Sequence, residues 1–161
     1  GMIARGLVSR RQALPEAFHL AYSKLSGDSL GELVPLLGQY FYPRHFCRLD
    51  PWPQSFLDAL GRLNLSLAEH WLGTGFFECN GALRRFDRSG DLGRIEIPAL
   101  VISGSHDYYL ESDNRSFAES LPRGELWISE SASHTPWVED GEAFFARVEE
   151  FVDKVNRAEQ L

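Results

Sequence analysis

Cysteine is scarce in this chain. Cys47 and Cys79 are the two present, too few for a disulfide framework, and neither stands at a zinc-ligand spacing from the five histidines. Both read as reduced and buried, and no metal or other cofactor is expected. No apolar run approaches the roughly 20 residues that a membrane span needs. The first residues also lack the apolar core of a secretory signal, so the expectation is a soluble, cytoplasmic protein. Basic clusters are missing too. With 16 Lys and Arg against 23 Asp and Glu, the formal net charge is −7. That excludes the cationic face that nucleic acid or an anionic membrane requires and leaves a small-molecule or short-peptide substrate as the expected ligand. What the chain does have is 43% hydrophobic and 12% aromatic residues in a length of 161, enough for one sizeable core.

The stretch that organises these residues runs from Ile97 to Glu139. Pro98-Ala99-Leu100-Val101-Ile102-Ser103, bounded by Pro and Gly, predicts a strand buried on both faces and ending at Gly104. Leu110, Phe117, Ala118 and Leu121 share one face of a helix that Pro122-Arg123-Gly124 stops. Glu125-Leu126-Trp127-Ile128-Ser129 predicts a second strand, and strand, helix, strand makes a parallel βαβ unit. Asp107 and His134 then fall in loops just beyond the carboxyl ends of adjacent strands, the edge where open α/β sheets build their sites. An Asp and a His so placed are candidates for the orienting acid and general base of a catalytic triad. The carboxylate fixes the imidazole tautomer and stabilises the imidazolium that forms when the base takes a proton. The plainer alternative is that Asp107 caps the following helix and His134 is an ordinary loop histidine.

The rest of the chain reads as mostly helical. Met2 to Val8 is a short apolar run that predicts a strand. Leu14, Phe18, Ala21, Tyr22 and Leu25 recur at helical spacing, and Ser29-Leu30-Gly31-Glu32 opens a second segment carrying Leu33, Val34, Leu36 and Leu37, with Pro35 where a first turn tolerates it. Tyr42 to Pro53 predicts an ordered loop. Gln54 to Trp71 predicts one helix with Phe56, Leu60, Leu63, Leu67 and Trp71 down one face. After Asp140, the residues Phe144, Phe145, Val148, Phe151, Val152 and Val155 form the stripe of a closing helix. The divisions predicted are an N-terminal strand of the sheet over 1–11, a helical cap over 12–93 and a core segment over 94–161.

Gly27-Asp28-Ser29-Leu30-Gly31 formally matches the Gly-x-Ser-x-Gly turn that presents a nucleophilic serine. That turn must follow a buried strand, whereas Tyr22 to Ser26 is polar and continues a helical pattern. Ser29 followed by Glu32 ahead of an apolar run is also a capping box, the reading favoured here. The alternative is a small esterase using Ser29. Gly-Asp-Ser-Leu resembles the lipases named after that tetrapeptide, but Ser131 stands where they carry an Asp three residues before the His.

The order strand, Gly-x-x-Asp, helix, strand and His-x-Pro-x-x-Glu resembles the C-terminal end of α/β-hydrolases. Gly81-Ala82-Leu83, Phe86-Asp87-Arg88, Asp91-Leu92, Ile95, Pro98 and Gly104 to Asp107 resemble the cap-to-strand junction of the proline iminopeptidase family, and Arg5-Gly6-Leu7 the strand before its cap. The resemblance implies an α/β class with a partial parallel sheet under a helical cap, and hydrolysis of an ester, amide or peptide by a serine hydrolase. It implies Asp107 and His134 as the catalytic pair. The family's serine elbow and Gly-rich oxyanion loop belong to a preceding half, and neither occurs in these residues. The second alternative is therefore an inactive hydrolase fragment or an interaction protein. The family's acids that bind a substrate amine align with Tyr108 and Phe76, while Glu78 reads as a solvated surface acid. An N-terminal strand without neighbours would leave an open sheet edge, so a homo-oligomer, or a partner covering that edge, is expected.

Overall fold

The computed structural model describes residues 2–28 and 30–158, and the side chains from Arg5 onward. Ser29, and with it the expected hydroxyl cap, lies outside the described residues. The chain opens with helix α1 (Met2–Gln12), followed by α2 (Glu16–Tyr22). A 3-10 turn, Leu30–Glu32, leads into α3 (Val34–Leu36), a π-helical turn over Leu37–Phe41 and α4 (Tyr42–His45). Pro43 has no N–H to donate to the preceding turn, and a widened turn is how a helix absorbs such a gap. Helices α5 (Gln54–Leu60) and α6 (Leu65–Leu72) and 3-10 turns over Ala82–Arg85 and Ser89–Arg94 complete the cap. Then come β1 (Ala99–Gly104), α7 (Glu111–Glu119), β2 (Gly124–Ser129), the short α8 (Pro136–Glu139) and the closing α9 (Gly141–Ala158). The two strands pair in parallel, with Ala99 opposite Gly124 and Gly104 opposite Ser129. The βαβ unit thus stands as its sequence pattern predicts.

Several expectations need correction. The N-terminal segment is a helix, not a strand. A strand needs a neighbouring edge to take its N–H and C=O groups, whereas a helix satisfies them internally. Here Arg10 and Arg11 also sit favourably at the negative end of the helix dipole. The edge that was to pair with another chain is therefore not at residues 3–8, and among the described residues the outer edges of the sheet belong to β1 and β2. The helix expected over 54–71 breaks after Leu60, and Asn64 restarts it by accepting the Leu67 N–H at 3.0 Å as an N-cap. The ordered loop from Tyr42 begins as α4.

The core lies in the cap rather than on the sheet. Leu7, Leu14, Phe18, Leu33, Leu37, Phe41 and Phe77 form one buried cluster, with Tyr22, Phe76 and Tyr108 packed against it. The sheet residues Ala99 to Ile102 are half-buried, where burial on both faces was expected. Along α9, Phe144, Val148, Phe151 and Val155 are half-buried while Phe145 and Val152 stay exposed. Cys47 is buried and Cys79 half-buried, and both are free thiols. Among the described residues no helix is long and apolar enough to cross a membrane.

Candidate active site

The site is assembled where β1 and β2 end. Both strands stop at the same level, and their following loops are stitched together by backbone bonds: Ser105 N donates to Ser129 O at 2.9 Å and His106 N to Ala132 O at 3.1 Å. Gly104 makes this closeness possible, because a Cβ there would overlap the carbonyl oxygens of Ala132 and Ser133. The Asp107 carboxylate is buried, 3% exposed, and both of its oxygens are hydrogen-bonded. It accepts the Tyr109 N–H at 3.0 Å and the Ser103 hydroxyl at 3.0 Å. His134 Nδ1 lies 3.1 Å from its Oδ1 and 3.3 Å from its Oδ2. The two residues picked out from the sequence are thus in hydrogen-bond contact.

An ionised carboxylate only accepts, so the Nδ1 facing Asp107 carries the proton and Nε2 is left as an acceptor. That nitrogen is met by the Tyr108 hydroxyl at 2.8 Å. The Tyr108 phenol is pushed well above its ordinary value, first by burial and then by the neighbouring Tyr109 and Asp107, so it stays protonated and donates. Tyr109 is raised as well, chiefly by burial and further by the Asp107 charge. The imidazole is walled by rings: Tyr108 at 4.2 Å between centroids, Tyr109 at 5.5 Å and Phe46 stacked at 5.6 Å.

Several supporting residues were not singled out from sequence. Asn114 on α7 donates to Ser103 Oγ at 2.8 Å, so a relay runs from Asn114 through Ser103 and Asp107 to His134. A serine inside an otherwise apolar strand was the signal available for Ser103. Glu139 stood in the His-x-Pro-x-x-Glu pattern without a role. Its carboxylate reaches back over α8 as the acid of a capping box does, accepting Ser133 N at 3.0 Å, Thr135 N at 3.2 Å and both hydroxyls, at 2.9 and 3.1 Å. It also accepts Arg48 N at 2.8 Å, and Thr135 Oγ1 donates to Phe46 O at 3.1 Å. The loop carrying His134 is thereby tied to the cap. Glu78 is a solvated acid paired with Arg11 at 3.2 Å, and His106 is exposed. Arg10 on α1 donates to the Asp107 carbonyl at 3.0 Å.

His45, at the end of α4, contacts the His106 carbonyl through Nδ1 at 3.0 Å. Burial, opposed by that hydrogen bond and helped by the charges of Arg10 and Arg44, lowers its pKa below the ordinary 6.5. The folded state then binds this proton more weakly than the unfolded chain. The contribution to stability is full above the unfolded pKa and is lost as the pH falls from there through the depressed folded value. The urea midpoint should therefore drop between about pH 7 and pH 5, and drop less in His45→Gln. Equal slopes for the two proteins would show that His45 does not titrate differently on folding.

No family model matches the chain. It is 27% identical over 123 residues to a proline iminopeptidase of Flavobacterium johnsoniae, covering 76% of this chain and 41% of that protein. It is 25% identical over 140 residues to a proline iminopeptidase of Chitinophaga pinensis, covering 86% and 46%. Among solved structures, VinJ superposes with a TM-score of 0.83 at 23% identity over 95% of this chain and 53% of its own. The proline iminopeptidase of Mycobacterium smegmatis superposes at 0.81 and 24% identity, over 97% and 54%. The chain spans about half the length of the relatives it matches. Strand pairing and superposition give the chain the fold of the C-terminal half of α/β-hydrolases, and its sequence is similar to those of proline iminopeptidases.

Proposed function

We propose that the chain supplies the acid and base of a serine hydrolase acting on ester or amide bonds, with His134 as general base and Asp107 as its orienting carboxylate. The observation that carries this reading is the 3.1 Å contact between His134 Nδ1 and a buried Asp107 at the ends of two parallel strands. In the reaction a serine hydroxyl at Nε2 gives up its proton to His134 as it attacks the carbonyl carbon. Asp107 stabilises the resulting imidazolium, which then protonates the leaving group. The serine would come from a segment equivalent to the half of the relatives that this chain does not span. Aromatic rings wall the imidazole, and Glu78 is solvated, so a neutral ester or amide suits the site better than a free amine. An ammonium group would gain only cation–π attraction there.

A second reading, a non-catalytic interaction protein, is favoured by the Tyr108 hydroxyl that fills the hydrogen-bonding place on Nε2. Reconstitution separates the two. The chain is mixed with a polypeptide carrying the serine-elbow half of a proline iminopeptidase and assayed with a fluorogenic ester and an amino-acid amide. Hydrolysis should require both chains and should fall about 10²- to 10⁴-fold in His134→Ala. It should survive Ser29→Ala. A reconstituted pair that forms but never hydrolyses either substrate, or that ignores His134→Ala, sinks the proposal. Loss of activity in Ser29→Ala would instead favour the small-esterase alternative.

A further inference from the structure

The acid and base account for Asp107 and His134 but not for the side chain between them. Tyr108 follows Asp107 directly, and its hydroxyl lies 2.8 Å from His134 Nε2, the nitrogen that faces a nucleophile in any triad. Its backbone is fixed from behind. Gly6 of α1 packs so closely that a Cβ there would overlap the Tyr108 carbonyl, and Arg10 of the same helix holds the preceding carbonyl. The Tyr108 ring leans on Phe41 at 6.0 Å and on Tyr109 at 4.8 Å between centroids. The hydroxyl also interacts with the Tyr109 side chain.

We propose that Tyr108 is a closing residue of this site: its hydroxyl stands in for the nucleophile's on His134 Nε2, holds the imidazole as the Nδ1–H tautomer, and must swing aside before a serine can be activated. The proposal rests on the reading of His134 as general base. Tyr108 is not the nucleophile itself, since burial disfavours its phenolate and the proton would have to move from a phenol held neutral to a histidine. Its grip is modest. One hydrogen bond of this kind is worth about 0.5–1.5 kcal/mol net, so an incoming hydroxyl that brings its own contacts can displace it. In the meantime the base is not offered to water or to stray electrophiles. The closed contact reduces the competent population, and apparent affinity for the nucleophile's segment falls by the same factor.

Chemical modification of the histidines reads this contact without any hydrolytic activity. Diethyl pyrocarbonate is applied to the full chain, and the rate at each of its five histidines is followed by peptide mass spectrometry. Tyr108→Phe keeps the ring and removes the hydroxyl. His134 should then react roughly three- to tenfold faster, the factor set by one lost hydrogen bond, while the other histidines are unchanged. An unchanged rate at His134 overturns the proposal. Should Tyr108→Phe unfold and raise all five together, the wild type decides alone by nitrogen NMR. A neutral His134 in the Nδ1–H tautomer, with a slowly exchanging Tyr108 hydroxyl proton close to Nε2, supports the contact, and an Nε2–H tautomer overturns it. Ester hydrolysis enters neither measurement, so the hydrolase reading and the closing residue fail separately.

Discussion

Glu139→Ala should lower the stability of the chain by about 3 kcal/mol or more and loosen the loop that carries His134. The effect follows from what the carboxylate receives. Ser133 N, Thr135 N and Arg48 N all donate to it, and Ser133 and Thr135 are 0% and 1% exposed. Removing the acceptor leaves two of these amides buried and unpaired, at roughly 1–3 kcal/mol each where water cannot reach them. The third amide is more open, and its loss costs less. For a domain of this size, such a change corresponds to a fall in Tm of about 6–12 °C. Glu139→Gln discriminates further. Oε2 faces Ser133 N and Thr135 N, while Oε1 faces Arg48 N. An amide can turn its oxygen to only one of these sides. Keeping the two bonds within the loop sets its NH₂ against Arg48, so the glutamine should preserve the His134 loop and release the cap. Urea unfolding gives the total, and hydrogen exchange at Arg48 against Ser133 gives the partition. An unchanged urea midpoint in Glu139→Ala would mean that water replaces the carboxylate throughout.

Asp107 and His134 were legible because their placement depends on topology alone. A strand, a helix and a second strand bring two loops to one edge whatever the side chains inside them do. Their supports were not legible, and the reasons differ. Glu139 binds backbone amides, which every residue but proline owns, so no sequence pattern marks its partners. Ser103 and Asn114 meet across a strand and a helix, 11 residues apart, at a spacing with no periodic meaning. Tyr108 was marked only as the position where the family's amine-binding acid aligns, since an aromatic ring serves packing or contact alike and only the tertiary fold aims its hydroxyl. The misread elements have physical causes as well. Apolar residues over 2–8 suit a strand only if an edge is there to receive it, and Leu7 is instead buried from one face of a helix. The period from Phe56 to Trp71 ran unbroken through Gly61-Arg62-Leu63-Asn64. Asn64 caps a new helix there, and Leu63, expected on the apolar face, is 61% exposed.

Gly104→Ala should separate Asp107 from His134 more cleanly than any substitution of the pair. The methyl group has nowhere to go. On the backbone as it stands, it would overlap the carbonyl oxygens of both Ala132 and Ser133, which are backbone atoms and cannot rotate away as a side chain can. Gly104 is itself buried and is the last residue of β1 paired with β2. Relief must therefore come from moving one loop off the other. The bonds from Ser105 to Ser129 and from His106 to Ala132 would be the first to stretch. Overpacking of this kind costs about 1–3 kcal/mol, and the two stretched backbone bonds add roughly 1 kcal/mol each. Against this, alanine gains less than about 1 kcal/mol from the reduced freedom of the unfolded chain, so the clash wins. The expected outcome is a drop in stability of about 3–4 kcal/mol. His134 Nδ1 should also lose its carboxylate, seen as faster exchange of its ring proton, while the cap core around Phe18, Phe41 and Phe77 keeps its protection against hydrogen exchange. If Gly104→Ala unfolds at the wild-type urea midpoint with the His134 proton still protected, the loops are not held together by that contact. The close approach of strand ends would then be a consequence of the site rather than its cause.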